Sequence, residues 1–361
     1  MFVCNISLVN FRNFSSLKSE FTQGVNIIYG DNAVGKTNLI EALYYLSLGR
    51  SFKKANDKEI IKIGENEGQL LVNYIDKSSI KHSLEGRILQ EGKIIYFDEE
   101  KVSSIAKILG KLVCVVYSPL MVSLFRDEPS ERRRFIDSYL SLMSDKYLYA
   151  LTRQKKLLKE RNNALLNNYD EDVISIITEE LVNISYRVYF LRKGLIGKLN
   201  TLVDGIYQQL FKGEKLILKY VTNVPEESDQ EQFILKYREK IERIKSEERI
   251  KKTTLVGIQR DDLKAYLGNK EVYAYASQGQ NRLVTLALNL AISKILEEHF
   301  KDKPILLLDD VFSDLDNSRQ KDLIDYLKKE NQQVFITTAN KVDEKEVNLY
   351  HIENEQLIGG K

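Results

Sequence analysis

Cysteine and histidine are scarce in this chain, and their scarcity removes several classes of protein. Cys4 and Cys114 are the two cysteines among 361 residues. They lie far apart and outside any Cys-x-x-Cys spacing, so no disulfide framework is supported. Both sit in apolar stretches, where a small buried side chain is the expected role. His82, His299 and His351 are scattered and form no metal-ligand cluster. Long apolar runs are missing as well: nothing approaches the ~18 residues that a bilayer span requires. The opening Met1-Phe2-Val3-Cys4-Asn5 lacks a basic segment followed by an apolar core, so no secretory signal is visible and a cytoplasmic protein is expected. An excess of one charge is also absent. Lys plus Arg is 54 against 52 for Asp plus Glu, a net +2 with a pI near 8.2. That falls short of the pI of about 9 that marks an electrostatic nucleic-acid footprint, so any such binding must come from a local patch.

Apolar residues at 43 % and charged residues at 29 % describe a soluble globular protein with a sizeable core. The length suits roughly two domains at about 100–200 residues each. Residues 2–9 alternate apolar and polar, the period of a half-buried strand. Residues 24–29 form a second strand signal that runs into a glycine-rich loop, and residues 38–48 follow with a helical pattern. Short alternating segments over residues 68–96 read as antiparallel strands, and residues 112–117 as a buried strand ended by Ser118-Pro119.

Residues 120–248 are mostly helical in pattern, interrupted only by Pro129 and Pro225. Val173, Ile177, Leu181, Ile184, Val188, Leu191, Leu195, Leu199, Leu202, Ile206 and Leu210 recur by threes and fours, a helical seam sustained over several heptads. An antiparallel helical lobe is the expected form, because too few residues remain for the returning half of a free coiled-coil arm. After residue 255 the α/β character resumes, with an amphipathic helix over 280–300, a short strand over 305–308, a helical turn over 323–327 and a last core strand over 334–338. The expected organisation is one split α/β domain, residues 1–119 and 249–361, with the helical lobe 120–248 inserted.

Gly30-Asp31-Asn32-Ala33-Val34-Gly35-Lys36-Thr37 matches the phosphate-loop pattern Gly-x-x-x-x-Gly-Lys-Thr between a strand and a helix. The glycines let backbone N–H groups close around phosphate oxygens, and the helix adds its positive N-terminal end. Lys36 is expected on the β- and γ-phosphates and Thr37 on Mg²⁺. Residues 305–308 end in Asp309-Asp310; Asp309 is the candidate second Mg²⁺ partner, and Asp310 the group that orients or deprotonates the attacking water. Ser277-Gln278-Gly279-Gln280 opens the 280–300 helix. Its plain role is a helix cap; its sharper role is to face, with Gly279 and the free N–H groups, the γ-phosphate of a nucleotide held by a second copy of the chain. Ser313-Asp314-Leu315-Asp316 follows the acidic pair.

This ordered set resembles the ABC-type ATPase heads of the SMC and Rad50 superfamily and, within it, the RecF family of recombination and repair proteins. Leu8-Val9-Asn10-Phe11-Arg12-Asn13-Phe14, Ser118-Pro119, Arg132-Arg133-Arg134-Phe135-Ile136-Asp137 and Arg260-Asp261-Asp262-Leu263 carry the likeness together with the motifs above. It implies an α/β phosphate-loop ATPase fold with ATP and Mg²⁺ as cofactors. It further implies ATP-driven homodimerisation on single- and double-stranded DNA at gaps, and RecR and RecO as partners that help load RecA. Lys36, Asp310 and Gln280 are then the catalytic candidates. Gly30 to Thr37, Arg12, Asn13, Ser277, Gly279 and Thr338 are the nucleotide-binding candidates, and Arg132, Arg133, Arg134, Lys155 and Lys156 the candidate DNA contacts. The chain departs from the family pattern at Gln259, where histidine is usual, and at Leu120, where an acid is usual. Thr337-Thr338 stands where many relatives keep a switch histidine, and Asp310 replaces a glutamate, which is consistent with slow hydrolysis. A transporter subunit of ABC type and a phosphate-loop kinase are the alternative readings.

Overall fold

The computed structural model describes residues 1–121 and 124–359. Its contacts divide the chain into two compact units: Met1–Ser123, Val203–Glu214 and Ser277–Lys361 form the first, Leu124–Leu202 and Lys215–Ala276 the second.

The first unit holds two six-stranded sheets. One is antiparallel, built from β1 (Phe2–Phe11), β2 (Phe14–Glu20), β4 (Glu67–Ile75), β5 (Lys81–Leu89), β6 (Gly92–Phe97) and β7 (Glu100–Lys101) in the order β2-β1-β4-β5-β6-β7. The other contains β3 (Val25–Tyr29), β8 (Cys114–Tyr117), β12 (Ile305–Leu308), β13 (Val334–Thr338), β14 (Asn348–Glu353) and β15 (Gln356–Gly359) in the order β15-β14-β3-β13-β12-β8. All its pairings are parallel except β14 with β15. Every residue of β8, β12 and β13 is buried, which is why β8 and β12 read as apolar runs and β13 as one up to Thr337-Thr338. Helix α1 (Lys36–Leu48) touches strands of both sheets. Every residue from Leu39 to Leu48 is buried, as a helix covered on two sides requires. Helices α7 (Gln278–Phe300) and α8 (Asn317–Glu330) pack on β8 and β3 respectively. Cys114 is buried, with its thiol pushed up to about 12 by burial, whereas Cys4 is only half-buried.

The second unit carries α2 (Pro129–Met143), α3 (Asp145–Leu166), most of α4 (Glu171–Phe211), α5 (Gln230–Lys251) and the short α6 (Val272–Tyr275). The seam expected over residues 173–210 is one continuous α4 of 41 residues. Leu181, Val188, Leu195, Leu199, Ile206 and Leu210 are buried, but Val173 at its start is exposed. A second stripe, Ile174, Val182, Tyr189, Ile196, Val203 and Tyr207, is equally buried, so α4 is apolar on more than one face. The second unit also contains a three-stranded sheet, with β9 (Leu216–Val221), β10 (Asp262–Leu267) and β11 (Lys270–Glu271) in the order β11-β10-β9. Residues 249–276, read from sequence as part of the ATPase domain, lie in this unit because β10 pairs along its whole length with β9.

A buried network of ionised groups ties α2, α4 and β10 together. Arg192 on α4 donates to both oxygens of Asp137 at 3.0 Å, to Asp261 at 3.0 Å and to the Ile258 carbonyl at 2.8 Å. Tyr147 donates to Asp137 at 2.5 Å, Thr222 to Asp261 at 2.5 Å, and Tyr220 also to Asp261. Arg132 makes a two-pronged contact with Asp262 at 2.6 and 3.0 Å and caps the Leu124 and Asp127 carbonyls. Arg133 donates to the Asp261 carbonyl at 2.7 Å. Arg132 is 5 % exposed, which corrects its assignment as a DNA contact: successive residues on a helix point ~100° apart, and this one points inward. Arg133 and Arg134 are half-buried, and Lys155 and Lys156 are exposed.

Candidate functional site

The phosphate loop is shaped by what surrounds it. Gly30 (φ 156°) and Gly35 (φ 111°) occupy backbone conformations that side chains avoid. A Cβ on Gly30 would come within 2.6 Å of the Ile352 carbonyl oxygen, and one on Gly35 within 2.5 Å of the Phe14 ring. Ala33 holds a left-handed φ of 69° without being glycine, a strain of about 1–2 kcal/mol for an ordinary residue. Asn13 braces the loop by donating from Nδ2 to the Val34 carbonyl at 2.9 Å, and its Oδ1 accepts from Asn38 at 2.7 Å. Arg12 grips buried Glu41 through two hydrogen bonds of 2.9 and 2.5 Å and donates to the Glu59 carbonyl. Burial pushes the Glu41 carboxyl up, but Arg12, Lys53 and Ser51 outweigh it and hold the group below its usual range.

Lys36 folds over its own loop, with Nζ donating to the Gly30 and Asp31 carbonyls at 2.7 Å each. Burial pushes its pKa down, opposed by Asp310, Asp309 and Asp31. The first residue of α1 after Lys36 faces the acidic strand end: the Thr37 hydroxyl donates to Asp309 Oδ1 at 2.9 Å. The Thr337 hydroxyl donates to the same oxygen at 2.7 Å and accepts from the Asp310 N–H at 2.9 Å. These contacts follow from the parallel register, which sets β12 beside β13 and β13 beside β3, the strand leading into the phosphate loop. Asp310 turns out of the strand in a left-handed conformation (φ 48°), and its carboxylate makes no hydrogen bond among the described residues.

Asp309 is almost fully buried, and burial raises its pKa above the ordinary carboxylate value, with Thr337, Thr37 and Lys53 acting against the rise. The sign of the pH effect follows. A carboxyl whose folded pKa exceeds its unfolded one favours folding while protonated, and that advantage is lost as pH rises through the folded pKa. The ionised form of Asp309 is therefore a liability to the nucleotide-free chain. Asp309→Asn keeps an oxygen for both hydroxyls and removes the charge. It is expected to raise the thermal midpoint at pH 7 by a few degrees while abolishing the midpoint shift that MgATP gives the parent; an unchanged or lower midpoint would contradict the reading.

Ser277 and Gln280 form a reciprocal cap on α7. Gln280 N–H donates to Ser277 Oγ at 3.1 Å, and Ser277 N–H to Gln280 Oε1 at 2.9 Å. The Gln280 side chain is thus a capping group here. All four residues of Ser277–Gln280 are exposed. A Cβ on Gly279 would meet nothing closer than Ser277 Oγ at 3.9 Å, and its φ is not positive, so nothing among the described residues demands glycine there. Two residues on, Arg282 donates to Ser313 Oγ at 3.4 Å, and Ser313 donates to the Asp310 carbonyl at 3.0 Å. The start of α7 is thereby linked to the acidic strand end. The Asp314 side chain lies outside the described residues.

Lys53 was not picked out from sequence, and Thr337 was named only together with Thr338 at the switch position. Lys53 donates to Asn38 Oδ1 at 2.6 Å, pairs with Glu41 at 3.0 Å and bears electrostatically on Asp309. Thr337, rather than the selected Thr338, reaches the acidic pair. The Thr338 side chain lies on the other face of the strand and makes no hydrogen bond among the described residues. Leu120 is 58 % exposed, and the half-buried Gln259 donates to the Val256 carbonyl at 3.3 Å.

A parallel sheet delivering a phosphate loop, a lysine, a threonine hydroxyl and an acidic strand end to one place defines a phosphate-loop ATPase with the fold of ABC-type and SMC head domains. The model of the RecF/RecN/SMC N terminal domain matches residues 2–356. The chain is 32% identical over 375 residues to the DNA replication and repair protein RecF of Oenococcus oeni, covering 100% of both chains. It is 34% identical over 364 residues to that of Clostridioides difficile, covering 98% of this chain and 97% of the relative. A solved structure of the recombination mediator protein RecF with ATP in the RecFOR pathway superposes with a TM-score of 0.92 at 31% identity, covering 99% of this chain and 97% of the other. The chain belongs to the RecF family. No described helix is long and apolar enough to cross a membrane.

Proposed function

We propose that this chain is a nucleotide-switched DNA-binding protein of recombinational repair and replication-fork maintenance, acting in the cytoplasm, in which ATP joins two copies. In this reading phosphate oxygens replace the Gly30 and Asp31 carbonyls as partners of the Lys36 ammonium, and the loop N–H groups with the start of α1 hold the triphosphate. The hydroxyl of Thr37 and the carboxylate of Asp309 are hard oxygen donors that suit Mg²⁺, an ion that takes one or two protein oxygens beside phosphate and water. Bound there, Mg²⁺ would offset the charge that burial makes unfavourable on Asp309. Asp310, with its carboxylate uncommitted, orients the attacking water, and its short reach fits slow hydrolysis that resets the dimer. Arg12, Asn13, Lys53 and Thr337 hold these groups in position.

The observation that carries the dimer is the exposed Ser277–Gly279 surface, where glycine answers no need of its own chain. Absence of a side chain there permits close approach from outside, which the γ-phosphate of a nucleotide on a second copy would use. One such surface and one phosphate loop per chain give a two-fold arrangement that closes two sites together. ATP then shifts the equilibrium because it binds the paired state better than the single one. DNA is held through its phosphates by local basic side chains, Arg134, Lys155 and Lys156 among them, so affinity falls with salt. RecR and RecO are the proposed partners in loading RecA. The domain division proposed is an ATPase domain formed by the first unit and a helical lobe formed by the second.

Sedimentation with and without ATP and duplex DNA tests the proposal, and Gly279→Ala sharpens it. Alanine exceeds glycine in helix propensity by about 1 kcal/mol, so this variant is expected to melt no lower than the parent. Its ATP-induced dimer should nevertheless be at least tenfold weaker. Equal dimer formation by the two chains would refute a cross-subunit role for this surface.

A further inference from the structure

Within the second unit, between α3 and α4, lies an open groove of about 530 Å³ whose walls alternate rings and cations. Lys146, Tyr149 and Arg153 follow at helical spacing along α3; Tyr186, Arg187 and Phe190 line the groove from α4. Tyr149 is 64 % exposed and Phe190 is 50 % exposed, although burial of a large ring is strongly favourable where a core can receive it. The floor beneath them is fixed. Tyr186 stacks on Phe190 with centroids 5.7 Å apart, meets Phe233 edge-on at 5.3 Å, and donates its hydroxyl to the Ser228 carbonyl at 2.5 Å. Arg153 is committed to Glu180 through two hydrogen bonds of 2.6 Å. Lys146 and Arg187, by contrast, have no hydrogen-bond or ion-pair partner among the described residues.

Exposed flat rings on a rigid floor, flanked by two uncompensated cations, match a ligand with flat faces and a regularly spaced anion. A strand of unpaired nucleotides supplies both, since every base has a face to stack and every step carries a phosphate. A duplex hides its base faces, and a peptide carries anions only at particular side chains. We infer that this groove is a subsite for unpaired nucleotides of single-stranded DNA, with bases stacked on Tyr149 and Phe190 and phosphates on Lys146 and Arg187. The inference rests on the DNA-binding reading above but concerns a place and a ligand form that reading leaves open.

The full chain with MgATP is titrated with fluorescent oligo-dT and, separately, with blunt duplex DNA. The Tyr149→Ala/Phe190→Ala chain is expected to lose at least about thirtyfold in oligo-dT affinity, the least that about 1 kcal/mol for each of two stacked bases implies, with duplex affinity unchanged. Lys146→Glu/Arg187→Glu, which leaves the rings in place, should lose a comparable factor and flatten the salt dependence. Oligo-dT carrying 5-iodouracil should cross-link the parent at Tyr149 or Phe190. Undiminished oligo-dT binding by both double variants, or cross-links confined to other residues, overturns the subsite and leaves the groove to a protein ligand. Failure of the parent to bind duplex while oligo-dT binding still depends on the rings would refute the duplex part of the proposed function and keep the subsite.

Discussion

A Ser277→Arg chain is expected to remain a monomer at ATP concentrations that fully dimerise the parent, while still binding nucleotide. Ser277 is exposed, and among the described residues its side chain serves only the reciprocal cap with Gln280. Loss of an N-cap costs about 1 kcal/mol, and α7 buries a long apolar face from Leu283 to Leu296 that keeps it folded. The phosphate loop and Asp309 make no hydrogen bond to Ser277 among the described residues, so nucleotide binding within one chain is untouched. Between two chains, a bulky cation placed where a γ-phosphate should approach removes the close contact and blocks the second surface by volume. Each dimer contains the lesion twice, so the expected loss in dimer affinity is at least a hundredfold. Lys36→Met is the necessary comparison: it should lose both nucleotide binding and dimers. Sedimentation with ATP, read beside a nucleotide-binding assay, separates the two. A Ser277→Arg chain that dimerises as the parent does would remove the idea of a shared nucleotide while leaving the phosphate loop intact.

The parts of the site that are contiguous in sequence were legible, because their chemistry depends on local backbone. The spacing of Gly30, Gly35, Lys36 and Thr37, the apolar run into Asp309-Asp310, and Ser277 three residues before Gln280 each describe one turn or one strand end. Lys53 was not legible as a site residue, and Thr337 was not separated from Thr338, since their roles arise only when the parallel register brings β12, β13 and α1 together. The long helix α4 was legible from one seam, but its second buried stripe marks neighbours on a second face, which periodicity alone does not reveal. The sheet β9-β10-β11 was missed for a related reason: its two longer strands are six residues each, embedded in or following helical sequence, and their pairing is long-range. Arg132-Arg133-Arg134 read as a basic patch because charge was counted along the chain, whereas the helix sends Arg132 into the interior onto Asp262.

That interior placement leads to the largest stability effect expected in the molecule, at Arg192. Burial opposes its charge, but the oxygens of Tyr147, Asp137, Tyr220 and Asp261 outweigh that penalty and hold its pKa well above the usual value. Removing the guanidinium takes from Asp137 and Asp261 the cation that both are paired with. Truncating one partner of a buried ion pair costs about 3–5 kcal/mol, and here two carboxylates are orphaned by one change. Arg192→Met, which preserves the apolar stem, is therefore expected to destabilise the second unit by at least that amount at pH 7. The pH dependence follows from the carboxyls. Burial already raises Asp261 despite Arg192, Thr222 and Tyr220, and loss of Arg192 raises it further. A carboxyl with an elevated folded pKa is favoured folded when protonated and becomes a burden as pH rises through that pKa. The deficit of the variant should accordingly shrink as pH falls from 7 toward 5, and Asp261→Asn added to Arg192→Met should recover part of it at pH 7. Hydrogen exchange of α2 and β10 amides reads the second unit directly. A deficit below about 1 kcal/mol, a typical value for an exposed ion pair, or one independent of pH, would show that the network is not what joins α2, α4 and β10.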